Sequence, residues 1–194
     1  MIEQGSRFIV PPVPSPPSDE PWYFSVSVPK LLVMSIASFG LYQVYWYYRN
    51  WQRYRARSSR RFSVLLRTFL APLFSFRLFE RMHHDLRESG LPGLPEPGVL
   101  ALAYLCLNAL LGLPEPWWLL AYLNVVPLMM AQAGVNRLHA AVAPAAPRND
   151  SYSGANVALI LVGVFLFVML LLGLFFMPPE PRLPPGTPVL APQT

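Results

Sequence analysis

Among its 194 residues the chain has one cysteine, one lysine, three histidines and ten carboxylates. Each shortage removes a class of explanation. The lone Cys106 permits no intramolecular disulfide and no cysteine-ligated metal, and inside an apolar run it reads as a small hydrophobe. Only 13% of the residues are charged, against the roughly 25% of an ordinary soluble domain. No Asp or Glu falls inside the long apolar runs, whereas proton- and ion-coupled carriers place an acid within the membrane. His83 and His84 are adjacent, so on a helix they point about 100° apart and make no metal pair. His139 lies beyond two further apolar runs. The chain lacks HExxH, a nucleophile elbow, a P-loop and a dinucleotide fingerprint. The expectation is therefore a protein that is not an enzyme and holds no metal and no cofactor. Nor does a basic stretch precede a short apolar one near Met1, so the first apolar run is expected to remain in the mature protein.

What is present is apolar and segregated. Hydrophobic residues make up 54% of the chain, and the mean hydropathy is +0.36. The uncharged run Leu31–Tyr48 leads into an aromatic cluster of Tyr42, Tyr45, Trp46, Tyr47, Tyr48, Trp51 and Tyr54. Six arginines overlap and follow it: Arg49, Arg53, Arg55, Arg57, Arg60 and Arg61. An apolar stem, an aromatic collar and a basic collar in that order are what a helix needs where it leaves a bilayer on the cytoplasmic side. These six arginines are candidate contacts for anionic lipid. The net charge of +5 could suggest nucleic acid, but the arginines flank apolar segments, so no nucleic-acid partner is expected.

The runs predict an all-α integral membrane protein with about four spans, near 31–48, 98–113, 117–135 and 155–177. Residues 62–82 are apolar but interrupted by Arg67, Pro72 and Arg77. They read as an amphipathic interfacial pair of helices hinged at Pro72. Residues 1–28 are Pro-rich and expected to be disordered, closing on an aromatic anchor, Trp22-Tyr23-Phe24, before Lys30. The Pro-rich tail 178–194 is expected to be disordered as well. Counting Lys and Arg over four spans puts both termini outside the cytoplasm, and the sequon Asn149-Asp150-Ser151 inside it.

Pro114-Glu115-Pro116 with Trp117 and Trp118 predicts a tight hairpin. Asn108 and Asn124 each lie eight residues from Pro116, hence at similar depth. An amide in hydrocarbon needs a partner, so the two are expected to form an interhelical clasp or, in the second reading, a polar ligand site. Pro127 is expected to kink its helix, and Gly40 to permit close packing.

The stretch Phe39–Arg53, FGLYQVYWYYRNWQR, resembles a motif of bacterial inner-membrane proteins of the domain-of-unknown-function kind. Lys30, Gly40, Tyr42, Tyr45, Trp46, Asn50 and Trp51 match it. A looser likeness continues through Phe69–Phe74, Pro127, Gln132, Val135, Asn136, Asn156 and Gly163. The resemblance implies a multi-pass protein of the inner membrane and no particular activity. Two functions then compete: an accessory or scaffolding component that binds lipids, a membrane partner or a second copy of itself; and a small transporter or channel component with a polar site in the 98–135 hairpin.

Overall fold

The computed structural model describes residues 21–58 and 61–176; the expected disorder of 1–20 and 178–194, and the place of Arg60, lie outside them. The fold is all-α: α1 (Val28–Ala37), α2 (Leu41–Arg57), α3 (Val64–Phe69), α4 (Ala71–Glu88), α5 (Pro97–Ala109), α6 (Val125–Val142) and α7 (Gly154–Phe176). Leu110–Gly112 and Trp117–Asn124 are 3₁₀ helices. Two helical stretches, Trp117–Val142 and Gly154–Phe176, are long and apolar enough to cross a membrane.

The run read as one span over 31–48 is two helices. Phe39 (φ +51°) and Gly40 (φ +86°) both adopt the left-handed region. The Gly40 N–H donates to the Ser35 carbonyl at 2.9 Å and the Phe39 N–H to Ile36 at 3.1 Å, the reciprocal pattern of a Schellman stop. Ser38 Oγ then accepts from the Tyr42 N–H at 2.8 Å and starts α2. Gly40 therefore serves the turn and not close packing, since a Cβ there would meet nothing within 4 Å.

The chain reverses at this stop, and α6 measures the reversal. The Phe39 ring lies against Tyr122, and Gln43 bonds Asn124. Further along, Trp46 bonds Gln132, the Val26 carbonyl accepts from Asn136, and Tyr23 meets His139. Residues 122 and 139 are about 25 Å apart on a helical rise. Residues 23 and 39 thus lie at opposite ends of the helical stretch Trp117–Val142, and α2 returns toward the end where α1 began. This corrects the expected placement of the N-terminal aromatic residues. Trp22 and Tyr23 lie under the Arg57 guanidinium, at the same end as the arginines. Tyr23 and Phe24 are buried core, not a surface anchor. α7 runs beside α1 from Lys30 past Ala37 to Phe39, so its end at Phe176 lies toward the end of the fold opposite Pro21.

Prolines stand in the first turns of several helices, Pro29 in α1 and Pro97 in α5 among them. Pro72 sits in the first turn of α4, where its missing N–H costs no bond. The junction with α3 is accordingly at Leu70, and not a hinge at Pro72. Pro127 sits in the first turn of α6, where the chain changes from 3₁₀ to α.

α7 packs through one stripe. Asn156, Ile160, Gly163 and Phe167 recur at helical spacing, and of the whole helix only Gly163 is buried. A Cβ on Gly163 would collide with the Ala37 carbonyl oxygen, so the two backbones touch because no side chain stands between them.

Candidate functional site

The polar interior is built around an extended segment, Tyr23–Val26. Val26 makes a single parallel backbone bridge, to Asn149, and the other backbone groups of the segment must find partners elsewhere. Side chains supply them. The Tyr23 N–H donates to His139 Nε2 at 3.2 Å, and the Phe24 N–H to Asn50 Oδ1 at 3.0 Å. Gln132 Nε2 donates to the Phe24 carbonyl at 3.2 Å, and Asn136 Nδ2 to that of Val26 at 3.1 Å. Gln132 also accepts from Trp46 Nε1 at 2.6 Å. The helical spacing of Gln132, Asn136 and His139 puts all three on one face of α6. That spacing was the signal in the sequence, and it points to a backbone clamp.

Tyr23 leads into the one buried carboxylate among the described residues, Asp85, 1% exposed. The Tyr23 hydroxyl donates to Asp85 Oδ2 at 2.7 Å, Arg81 Nε stands 3.0 Å from Oδ1, and the Arg57 guanidinium reaches Oδ2 at 3.5 Å. Burial, and then the Asp85 charge, push the Tyr23 phenol well above its ordinary 10. His84, Asp85 and Glu88 bring ligand atoms within 4.8 Å of one another. Asp85 is already neutralised by two guanidiniums, which repel a cation, and His84 pairs with Glu88 at 3.2 Å. The triplet suits a salt-bridge cluster better than a metal.

The arginines expected as one lipid-facing belt divide. Arg53 Nη1 donates to the Pro21 carbonyl at 2.7 Å, Arg57 covers Trp22, Tyr23 and Asp85, and Arg49 bonds Gln52 and lies over Phe24. These three fasten the N-terminal segment. Arg55 and Arg61 are exposed and face outward.

Lys30, 1% exposed, fastens the other side of that segment. Its ammonium donates to Asn149 Oδ1 and the Ser151 carbonyl, both at 2.7 Å. With its amide turned so that Oδ1 faces the ammonium, Asn156 adds a third acceptor at 3.1 Å. Lys30 is thus the tie between α1, the loop before α7, and α7 itself.

At the far end, Asn124 Nδ2 donates to Asn108 Oδ1 at 3.2 Å. Gln43, whose part the sequence reading missed, joins them: its Nε2 donates to Asn124 Oδ1 at 2.7 Å, and Asn108 Nδ2 donates to the Tyr104 carbonyl at 2.7 Å. These amides form one wall of a cavity of about 320 Å³ whose mouth is lined by Phe39, Trp118 and Tyr122. Cys106 is exposed on α5 and away from this wall.

No family model matches the chain, and no match is found among curated proteins or solved structures.

Proposed function

We propose that this chain is a multi-pass membrane protein acting as an accessory or scaffolding component, offering lipid-facing helices to a membrane partner or to a second copy of itself. The observation that carries the reading is α7. It has 23 uncharged residues, an 18-residue stretch of which has a mean hydropathy of 3.1, yet it touches the rest of the fold along one stripe and leaves the remaining faces apolar and exposed. Water would penalise that surface heavily; a bilayer or an apolar partner would not. The polar groups around Tyr23–Val26 support the same reading, because they clamp a segment of the chain itself.

In the bilayer, α1–α2 and 97–142 would each enter and return, and α7 would cross once. The described Lys and Arg gather at the end where α1 begins, and the opposite end, around Phe39–Leu41 and Leu113–Trp118, carries none. The positive-inside rule then assigns the basic end, with the N-terminal segment, to the cytoplasm of the inner membrane that the motif resemblance implies. The test is purification in native lipid particles with mass spectrometry of what accompanies the chain. A stoichiometric protein partner, or a homo-oligomer bound through α7, is the expected result. A monomer carrying only a retained small solute would count against it.

One observation favours a second reading, a transporter or channel component: the cavity walled by Gln43, Asn108 and Asn124. Reconstituted vesicles would decide it. Solute flux abolished by Asn108→Leu in a protein that remains folded would replace the accessory reading.

A further inference from the structure

A second cavity, of about 250 Å³, opens beside α3 at the basic end, lined by Trp51, Phe62, Arg67, Arg77, Glu80 and Arg81, with Tyr54 and His84. Its floor is aromatic and its charge is unbalanced. The Arg67 guanidinium carbon lies 3.8 Å from the Phe62 ring centre and 4.7 Å from that of Trp51. A cation over aromatic rings keeps N–H groups free to bond an anion. Arg81 is engaged by Asp85. Arg67 and Arg77 have no carboxylate within ion-pair distance among the described residues, and Glu80 alone cannot neutralise both. Burial, with Arg77 adding to it and Tyr54 opposing, lowers the affinity of Arg67 for its proton. Two unneutralised guanidiniums beside one cavity call for an anion that accepts several hydrogen bonds.

We propose that this cavity binds a phosphate group, as a free anion or as the phosphodiester of an anionic lipid headgroup. The neighbouring surface favours the lipid. Leu65, Leu66, Phe69 and Leu73 stand exposed at 59%, 56%, 78% and 64% on α3 and the start of α4, beside the cavity, where acyl chains would lie. The lipid form rests on the membrane reading above and names the ligand of its basic end; the free-anion form does not need it.

The test is native mass spectrometry of the full chain released from detergent with phosphatidylglycerol, with phosphatidylcholine, and with inorganic phosphate alone. Arg77→Gln is the first variant, because Arg77 is exposed and supports no ring; Arg67→Gln is the second, and Arg137→Gln, exposed on α6, is the control for lost charge. Phosphatidylglycerol retention should fall about fivefold for Arg77→Gln, the equivalent of one basic contact at a membrane surface. It should fall further for Arg67→Gln and hold for Arg137→Gln. Inorganic phosphate bound without lipid, and lost in the same two variants, would assign the site to the free anion. Equal retention by wild type and both cavity variants would overturn the proposal. So would an equal preference for both lipids, which would leave the membrane reading standing. A chain that takes up neither lipid and stays dispersed without detergent would instead sink the membrane reading.

Discussion

A single hydroxyl carries much of the connection between the N-terminal segment and the helices. Tyr23 donates to a buried carboxylate that also faces two arginines. Tyr23→Phe leaves those ion pairs and removes one hydrogen bond to a charged group, which should cost about 1.5–3 kcal/mol in unfolding measurements. The pH dependence has a definite sign. The folded state holds the phenol above its unfolded pKa, so its contribution is complete below pH 10 and is lost as pH rises beyond that. Wild type should therefore lose more stability on going alkaline than Tyr23→Phe does, and parallel alkaline profiles would contradict the assignment. The amides at the far end give a second test. Asn124 bonds both Gln43 and Asn108 across helices, whereas Asn108 makes one such bond. Asn124→Leu should thus destabilise more than Asn108→Leu, at about 0.6–2 kcal/mol per interhelical bond. The Asn108–Asn124 contact was legible from the sequence, because equal spacing from Pro116 sets equal depth. The Tyr23–Asp85 contact was not, because it joins an extended segment, α2 and α4, and no local spacing encodes a meeting of three elements.

At the level of whole helices, α7 was the easiest to read and is the least embedded. Its 23 uncharged residues specify a helix without specifying a partner. The partner is chosen by Gly163, whose missing Cβ lets the Ala37 carbonyl approach. Gly163→Val should force the helices apart. With Cys106 replaced by Ser, cysteines at positions 39 and 167, whose rings lie 6.3 Å apart, should crosslink readily and lose that crosslink when Gly163→Val is added. Retained crosslinking would mean that side chains alone hold the pair. The α1–α2 reversal was harder to read. An uncharged run of 18 residues has the length of one span and also the length of two short helical arms. What decides is backbone geometry at two residues, Phe39 and Gly40, and the cost of a positive φ at Phe39 is offset by its ring lying against Tyr122 and Phe167.

That reversal reorganises the charge distribution of the whole molecule. If 31–48 crossed once, Lys30 and Arg49 would lie on opposite sides of the bilayer. With the hairpin, they lie at one end together with Arg148, the ion-pair cluster at Asp85 and the cavity beside α3. The far end then presents a single charge among the described residues, Glu115, in a collar of Trp117 and Trp118. A basic end and an almost uncharged end are what the positive-inside rule expects of a chain that crosses a membrane, and the hairpin provides this where the single span divided the basic residues. The separation can be measured. In a Cys106→Ser background, cysteines introduced at Pro29, Arg55 and Glu115, all exposed, would be challenged with a membrane-impermeant maleimide in sealed right-side-out and inverted vesicles. Positions 29 and 55 should label together from the cytoplasmic face, and position 115 from the other. If position 29 labelled with 115 instead, the stop at Phe39–Gly40 would not turn the chain back, and Tyr23 could not reach Asp85.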